Sequence, residues 1–412
     1  MKNIFHFPGL RMSKSNVPTQ CSLNCDSVIN RTVTIGYVSP SDPFKDKTNW
    51  SGTIYKVREA IELSGCSVVW VSYKNNSLLI LIGKFLLKLY SKLFAKKISL
   101  DHVKIIGKLQ LFTLNKTAYH KCDYLFFSGQ SLLLSNLKIK KPIIYYSDAT
   151  FHLMVNYYLC NLASWNIKQG NEIEKMALNM SSIVIHASEW ASNSAIDYYG
   201  AQKSKCYVLE FGANLDFNDI EETEPYNSDC ELKILFSGVD WERKGAEVAI
   251  EAVSYLNNNN VRARLILVGL PSIPERYKNI PYIEHYGFLN KNIPEQYEQY
   301  VSIIKQCHLL LLPTRMECAG IVFCEASAYG LPIFTYDTGG VANYVINGCN
   351  GYRLSLSEKG DAFARKIMEC INKNELLELK KGGMQLYKNK FSWMSWAERF
   401  REILNSSPLN NP

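Results

Sequence analysis

Short apolar runs rich in β-branched residues alternate with helical periodicity along most of the chain. RTVTIGYV (31–38), SVVWVS (67–72), YLFFSG (124–129), PIIYYSD (142–148), SSIVIHAS (181–188) and CYVLEFG (206–212) read as strands. Between the first two, Ile54 to Ser64 reads as a helix ended by Gly65. Strands alternating with helices predict a parallel sheet covered on both faces. Residues 216–231, DFNDIEETEPYNSDCE, are acidic and nearly free of large aliphatics, the pattern of a linker between domains. The alternation then restarts with LKILFSG (232–238), a helix near 245–257, RLILVG (264–269), YIEHYG (282–287) and a helix near 294–306. HLLLLP (308–313), a helix near 320–329 and LPIFTYD (331–337) follow. Residues 1–30 show no periodicity and read as a poorly ordered arm.

The predicted architecture is α/β, with two Rossmann-like domains and a cleft between them. Residues 31–215 form the first, 232–390 the second, and 391–412 a helix returning to the first. Ligands of such sheets bind beyond the carboxyl ends of the strands, so the loops there hold the chemistry. A length of 412 residues fits two domains, and 47% hydrophobic with 20% charged residues excludes a disordered chain. No apolar run reaches the ~18 uncharged residues of a membrane span, and no secretory leader is apparent. The twelve cysteines form no CxxC pair and no zinc spacing with histidine, and read as reduced cytosolic thiols.

The net charge of +8 is lopsided. Residues 1–150 hold 21 lysines and arginines against 8 acids, a charge of +13, which leaves −5 to the remainder. A basic half points to an anionic partner or to a solubilising surface. Within it, SLLILIGKFLLKLYSKLFAKKISL (77–100) sets Lys84, Lys88, Lys92 and Lys96 every four residues, with Leu78, Ile82, Phe85, Leu89 and Leu93 on another face. That pattern fits a helix lying on an anionic membrane through residues 77–97, or a core helix with a solvated lysine stripe.

The richest stretch is LLLLPTRMECAGIVFCEASAYGLPIFTYDTGG (309–340). Glu317 precedes a helix opened by Gly320, Ile321 and Val322, and Glu325 lies inside it. A helix amino terminus offers unpaired N–H groups and partial positive charge to a phosphate. Pro313, Glu317, Gly320-Ile321-Val322, Glu325-Ala326, Gly330-Leu331-Pro332, Thr338-Gly339-Gly340 and Asn350-Gly351, in this order, resemble the signature of the retaining glycosyltransferases of family 4, or group 1, with the GT-B fold.

The resemblance covers about 33–404 and is diffuse over 74–140. In FSGVDWERKGAEVAIEAV (236–253) it implies a donor-binding loop with Gly238, and phosphate contacts from Arg243 and Lys244. The family's commoner arginine position is Val239 here. Gly52, in NWSGTIYKV (49–57), falls on the family's amino-terminal glycine loop. In YYSDATFH (145–152), Asp148 or His152 takes the place of a histidine near the transferred sugar, and the strand tip favours Asp148. WMSWAERFREIL (393–404) resembles the helix that crosses back, with Trp393 and Trp396 as packing residues.

The implied function is transfer of a hexose from a nucleotide-sugar to a saccharide or lipid-linked saccharide in surface polysaccharide, lipopolysaccharide or glycolipid assembly. The configuration would be retained. Catalysis falls to Glu317, Asp148, Arg243 and Lys244, and donor binding to Glu325, Gly320, Ile321, Val322, Gly238 and Gly52. With no DxD-type motif, neither metal nor cofactor is expected, and no nucleic acid. The implied location is the cytoplasm, at the inner face of the membrane if 77–97 binds lipid. A nucleotide-sugar epimerase and a sugar-binding pseudoenzyme are the alternatives.

Overall fold

The strands pair into two six-stranded parallel sheets. The structure, a computed structural model, describes residues 32–47, 49–74, 77–216 and 219–406, with the backbone alone for 77–82 and 84. The expected arm over 1–30, with Cys21 and Cys25, lies outside the described residues. The first sheet contains β1 (Thr34–Ser39), β2 (Ser67–Ser72), β3 (Tyr124–Ser128), β4 (Ile143–Ser147), β5 (Ile183–His186) and β6 (Cys206–Val208), in the order β2-β1-β3-β4-β5-β6. The second contains β7 (Leu232–Ser237), β8 (Ala263–Val268), β9 (Ile283–Gly287), β10 (Leu309–Leu312), β11 (Ile333–Tyr336) and β12 (Gly351–Leu354), in the order β12-β11-β10-β7-β8-β9. β3, β4, β5, β10 and β11 are buried at every residue, which is why each reads as an unbroken apolar run.

Strand order reverses where β1 meets β3, and again where β7 meets β10. Crevices open beyond the carboxyl ends of strands at such points. The topology therefore selects the loops after β1, β7 and β10, which carry Gly52, Lys244 and Glu317.

The helix Trp393–Ser406 packs on the first sheet, although it follows the second in sequence. Trp396 is fully buried, stacks on Phe400 at 4.9 Å and donates its indole N–H to Tyr146 Oη at 3.2 Å. Arg401 reaches the carbonyls of Ser64 (2.7 Å) and Leu63 (3.2 Å) at the end of helix Thr53–Leu63. Trp396→Ala should lower unfolding stability by ~3–5 kcal/mol, the usual cost of truncating a buried aromatic. A chemical denaturation midpoint checks this, and an unchanged midpoint would mean that the helix is dispensable to the first sheet.

The segment 77–100 is helical over Ser77–Phe94, and no described side chain between Gly83 and Lys97 is buried. It is not a core helix there. Residues 219–231 are mostly irregular but pinned, since the Thr223 hydroxyl donates to the Tyr329 carbonyl at 2.9 Å and Tyr297 Oη donates to Asp219 at 2.9 Å. The ten described cysteines are free. Among the described residues, no helix is long and apolar enough to cross a membrane.

Candidate active site

β10 ends at Leu312, and the loop that begins with Pro313 turns back through Gly320 into the helix Ile321–Ala328. Gly320 has φ +93°, and a Cβ there would stand 2.5 Å from the Phe323 ring. The turn Thr338-Gly339-Gly340 presses against this loop, backbone to backbone. A Cβ on Gly339 would lie 2.1 Å from the Glu317 carbonyl, and one on Gly340 would lie 1.9 Å from that of Cys318. Only glycine permits that approach, and the Gly340 N–H donates to Glu317 O at 3.1 Å.

From the other half of the chain, Tyr157 Oη accepts the Glu317 N–H at 2.8 Å and bonds Thr338 Oγ1 at 2.8 Å. Tyr158 Oη donates to the Met316 carbonyl at 2.9 Å. The backbone carrying Glu317 is thus held from both sides.

The Glu317 carboxylate faces the loop after β7, where it pairs with the Lys244 ammonium, with the Arg243 guanidinium at 4.0 Å. Gly238 makes room for the lysine stem, since a Cβ there would meet Lys244 Cγ at 2.8 Å. Arg243 stands over the Tyr158 ring at 5.5 Å and donates to the Met316 carbonyl at 3.3 Å. Gly245, left-handed at φ +74°, starts the helix Ala246–Asn258 directly after the pair.

Asp148 sits just past β4 and lines the same cavity. Burial pushes its carboxyl up to about 6, and the Glu317 charge adds to the rise, against hydrogen bonds from backbone N–H groups and the Trp50 indole. Asp148 caps no helix, because Thr150 precedes the short helix Phe151–Met154. Trp50 and Ser51 are left-handed at φ 51° and 55°, a conformation costing on the order of 1 kcal/mol or more each and concentrated at functional sites.

Glu325, inside the helix as expected, is buried rather than open to solvent. Its side chain is 3% exposed, with Oε1 taking Lys291 Nζ at 2.5 Å and Oε2 taking Tyr300 Oη at 2.6 Å. Burial and the Glu325 charge raise the Tyr300 pKa well above its ordinary value, so the phenol remains the donor.

Asp148, Gly238, Arg243, Lys244, Glu317, Gly320, Ile321, Val322 and Glu325 line one cavity of about 480 Å³. Gly52 lines an adjoining cavity of about 180 Å³, which shares Lys47, Ser51, Lys291 and Asn292 with the first. His152 lines neither, being exposed and stacked on Tyr198 at 3.6 Å. Val239 is on the wall, and the nearby guanidinium comes from Arg243. Tyr157, Tyr158, Tyr300, Trp50 and Lys291 were given no role by the sequence. Among the described residues, no group of three His, Cys, Asp or Glu could hold a metal. Two cations and a helix amino terminus beside two carboxylates can hold a diphosphate and stabilise positive charge developing next to it.

Residues 219–383 match the family of glycosyl transferases group 1. The chain is 26% identical over 250 residues to the capsular polysaccharide biosynthesis glycosyltransferase CapM of Staphylococcus aureus, covering 57% of this chain and 64% of that one. It spans a little under two thirds of the length of the first curated relatives it matches, 63% and 64%. Its fold matches sucrose-phosphate synthase from Thermosynechococcus elongatus with TM-score 0.65 at 16% identity, over 90% of this chain and 98% of that one. Anabaena HepE in complex with UDP and glucose matches with TM-score 0.60 at 15% identity, over 91% and 100%. Residues 219–383 thus resemble the group 1 glycosyl transferases, and the fold, two parallel six-stranded sheets with helices, is that of the GT-B glycosyltransferase structures.

Proposed function

We propose that the chain transfers a hexose from a nucleoside diphosphate sugar to a hydroxyl of a saccharide or lipid-linked saccharide, with retention of configuration, in the assembly of a surface polysaccharide or lipopolysaccharide in the cytoplasm. The observation that carries the reading is the Glu317–Lys244–Arg243 cluster at the Gly320 helix start, with Asp148 on the same cavity. CapM is named for capsular polysaccharide biosynthesis, which supports that acceptor class.

In this reading Lys244, Arg243 and the N–H groups near Gly320 take the departing diphosphate. Glu317 stabilises the sugar as the bond to phosphate breaks. Asp148 accepts a hydrogen bond from a sugar hydroxyl, and Glu325 holds the ribose. The acceptor attacks from the face the diphosphate leaves, and a phosphate oxygen takes its proton.

A thermal-shift panel of nucleotide-sugars in EDTA tests the donor. At 100 times its dissociation constant the true donor should stabilise the fold by ~2.7 kcal/mol. Product from that donor must form in EDTA with its anomeric configuration unchanged by NMR. Inversion, or loss of activity restored by a divalent cation, would overturn the mechanism, and binding without turnover would favour a sugar-binding protein.

The raised carboxyl of Asp148 sets a pH dependence. Below about pH 6 the free protein holds Asp148 protonated, and an acid cannot serve as the charged acceptor assigned to it. kcat/KM, which reports groups of the free enzyme, should fall as pH drops through about 6. In Asp148→Asn that limb should disappear, with activity lower by roughly tenfold or more across the range. A limb that persists in the variant would belong to another group.

A further inference from the structure

The helix Ser77–Phe94 turns Phe85, Leu86, Leu89 and Leu93 to one face, and all four are exposed, Phe85 at 69% and Leu93 at 67%. Lys88 and Lys92 run along the edge of that face. A second stripe lies on the helix Lys104–Leu111 and the residue after it, with Ile105, Leu109 and Phe112 at spacings of four and three. Ile105 is 59% exposed and Phe112 85%, and Lys104 and Lys108 lie beside them.

One helix, Ser164–Met180, supports both stripes. Its Trp165 indole donates to Tyr90 Oη at 3.2 Å, its Gln169 side chain accepts the Lys104 N–H at 2.8 Å, and its Glu172 pairs with Lys104 at 2.5 Å. Residues 165, 169 and 172 share one helical face, so the stripes attach to the same side of the protein.

Apolar surface of this extent marks an interaction site. Its charge selects the partner. From Leu63 to Cys122 the chain has ten lysines and one acid, Asp101. A second copy would set lysines against lysines, and a nucleic acid would leave the phenylalanines and leucines wet. An anionic bilayer satisfies both features, since acyl chains take the apolar side chains and headgroup phosphates take the lysines. We propose that the two stripes form one docking surface for an anionic membrane, with Phe85, Leu89, Leu93 and Phe112 inserted and Lys88, Lys92 and Lys108 on the headgroups. Turnover is not needed for this binding, so it stands or falls apart from the transfer reaction.

The test is co-sedimentation with phosphatidylcholine vesicles, with and without phosphatidylglycerol. The wild-type protein should pellet with the mixed vesicles, remain in solution with the neutral ones, and release as salt shortens the ~8 Å screening length. Lys88→Gln/Lys92→Gln/Lys108→Gln should weaken partition about 100-fold. Phe85→Ser/Leu89→Ser/Phe112→Ser should abolish it. Because all six residues are exposed, both variants should keep the wild-type melting temperature, which separates lost docking from lost folding. Wild-type protein left in solution with anionic vesicles overturns the proposal, as does equal partition onto neutral ones. A dimer in solution that the apolar variant disperses would assign the surface to a second copy instead.

Discussion

Glu317→Gln should lower kcat by roughly 100-fold or more, the scale of losing one preorganised electrostatic contact at a reacting centre. KM for the donor should stay level or fall. In the free protein the Glu317 carboxylate occupies the Lys244 ammonium and lies 4.0 Å from Arg243, and glutamine frees both cations for the diphosphate. Ground-state binding is therefore spared while transition-state stabilisation is lost, the pattern of a group acting in the chemical step. The fold should hold, because the loop is held through the Glu317 backbone rather than its carboxylate: the Tyr157 hydroxyl accepts its N–H, and the Gly340 N–H donates to its carbonyl.

Glu325→Gln is the contrast. It should raise KM by about tenfold with a smaller change in kcat. Burial adds a stability loss of ~1–3 kcal/mol, because Lys291 and Tyr300 both lose a charged acceptor. Steady-state kinetics and melting of the two variants decide it. A fully active Glu317→Gln would remove the centre of the proposed mechanism, and swapped effects would exchange the two roles.

The fold was legible in the chain because parallel strands buried on both faces read as continuous apolar runs, as LLLL at 309–312 and IIYYS at 143–147 do. β12 was not, since GYRL has four residues, only Gly351 is buried, and Asn350-Gly351 looks like a turn. That glycine is forced by packing, as a Cβ would lie 1.9 Å from the Ile333 carbonyl. The helix Leu376–Leu386 was hidden by Gly382 and Gly383, usually helix breakers. A Cβ on Gly382 would lie 2.0 Å from the Cys349 carbonyl, so close packing places it there.

In the site, the resemblance, which fixes their order along the chain, pointed to Glu317, Glu325, Arg243 and Lys244, and these four line one cavity. It did not point to Tyr157 and Tyr158. They reach the loop from 160 residues away, off a turn with no periodicity, and folding alone brings them to Glu317 and Met316. The burial of Glu325 was equally invisible, because it depends on Lys291 and Tyr300 closing over it from other elements.

Lys244→Ala tests the phosphate side of the same cluster. A charge-assisted contact contributes ~1.5–3 kcal/mol, so kcat/KM should fall by roughly tenfold to 150-fold. Arg243→Ala should be similar or milder, because Tyr158 Oη and the Met316 carbonyl already engage the guanidinium. Lys244 and Glu317 touch each other in the free protein, so their effects should not add. Lys244→Ala leaves a half-buried carboxylate without its ammonium, aimed at the space meant for a diphosphate. Part of the single-variant loss is that repulsion, and Glu317→Gln removes it. The double variant should therefore bind donor better than Lys244→Ala alone, while turning over no faster than Glu317→Gln. Donor affinity by calorimetry and kcat by steady-state assay separate the two quantities. Strict additivity in binding would show that the ammonium and the carboxylate act on the donor independently, against the paired arrangement.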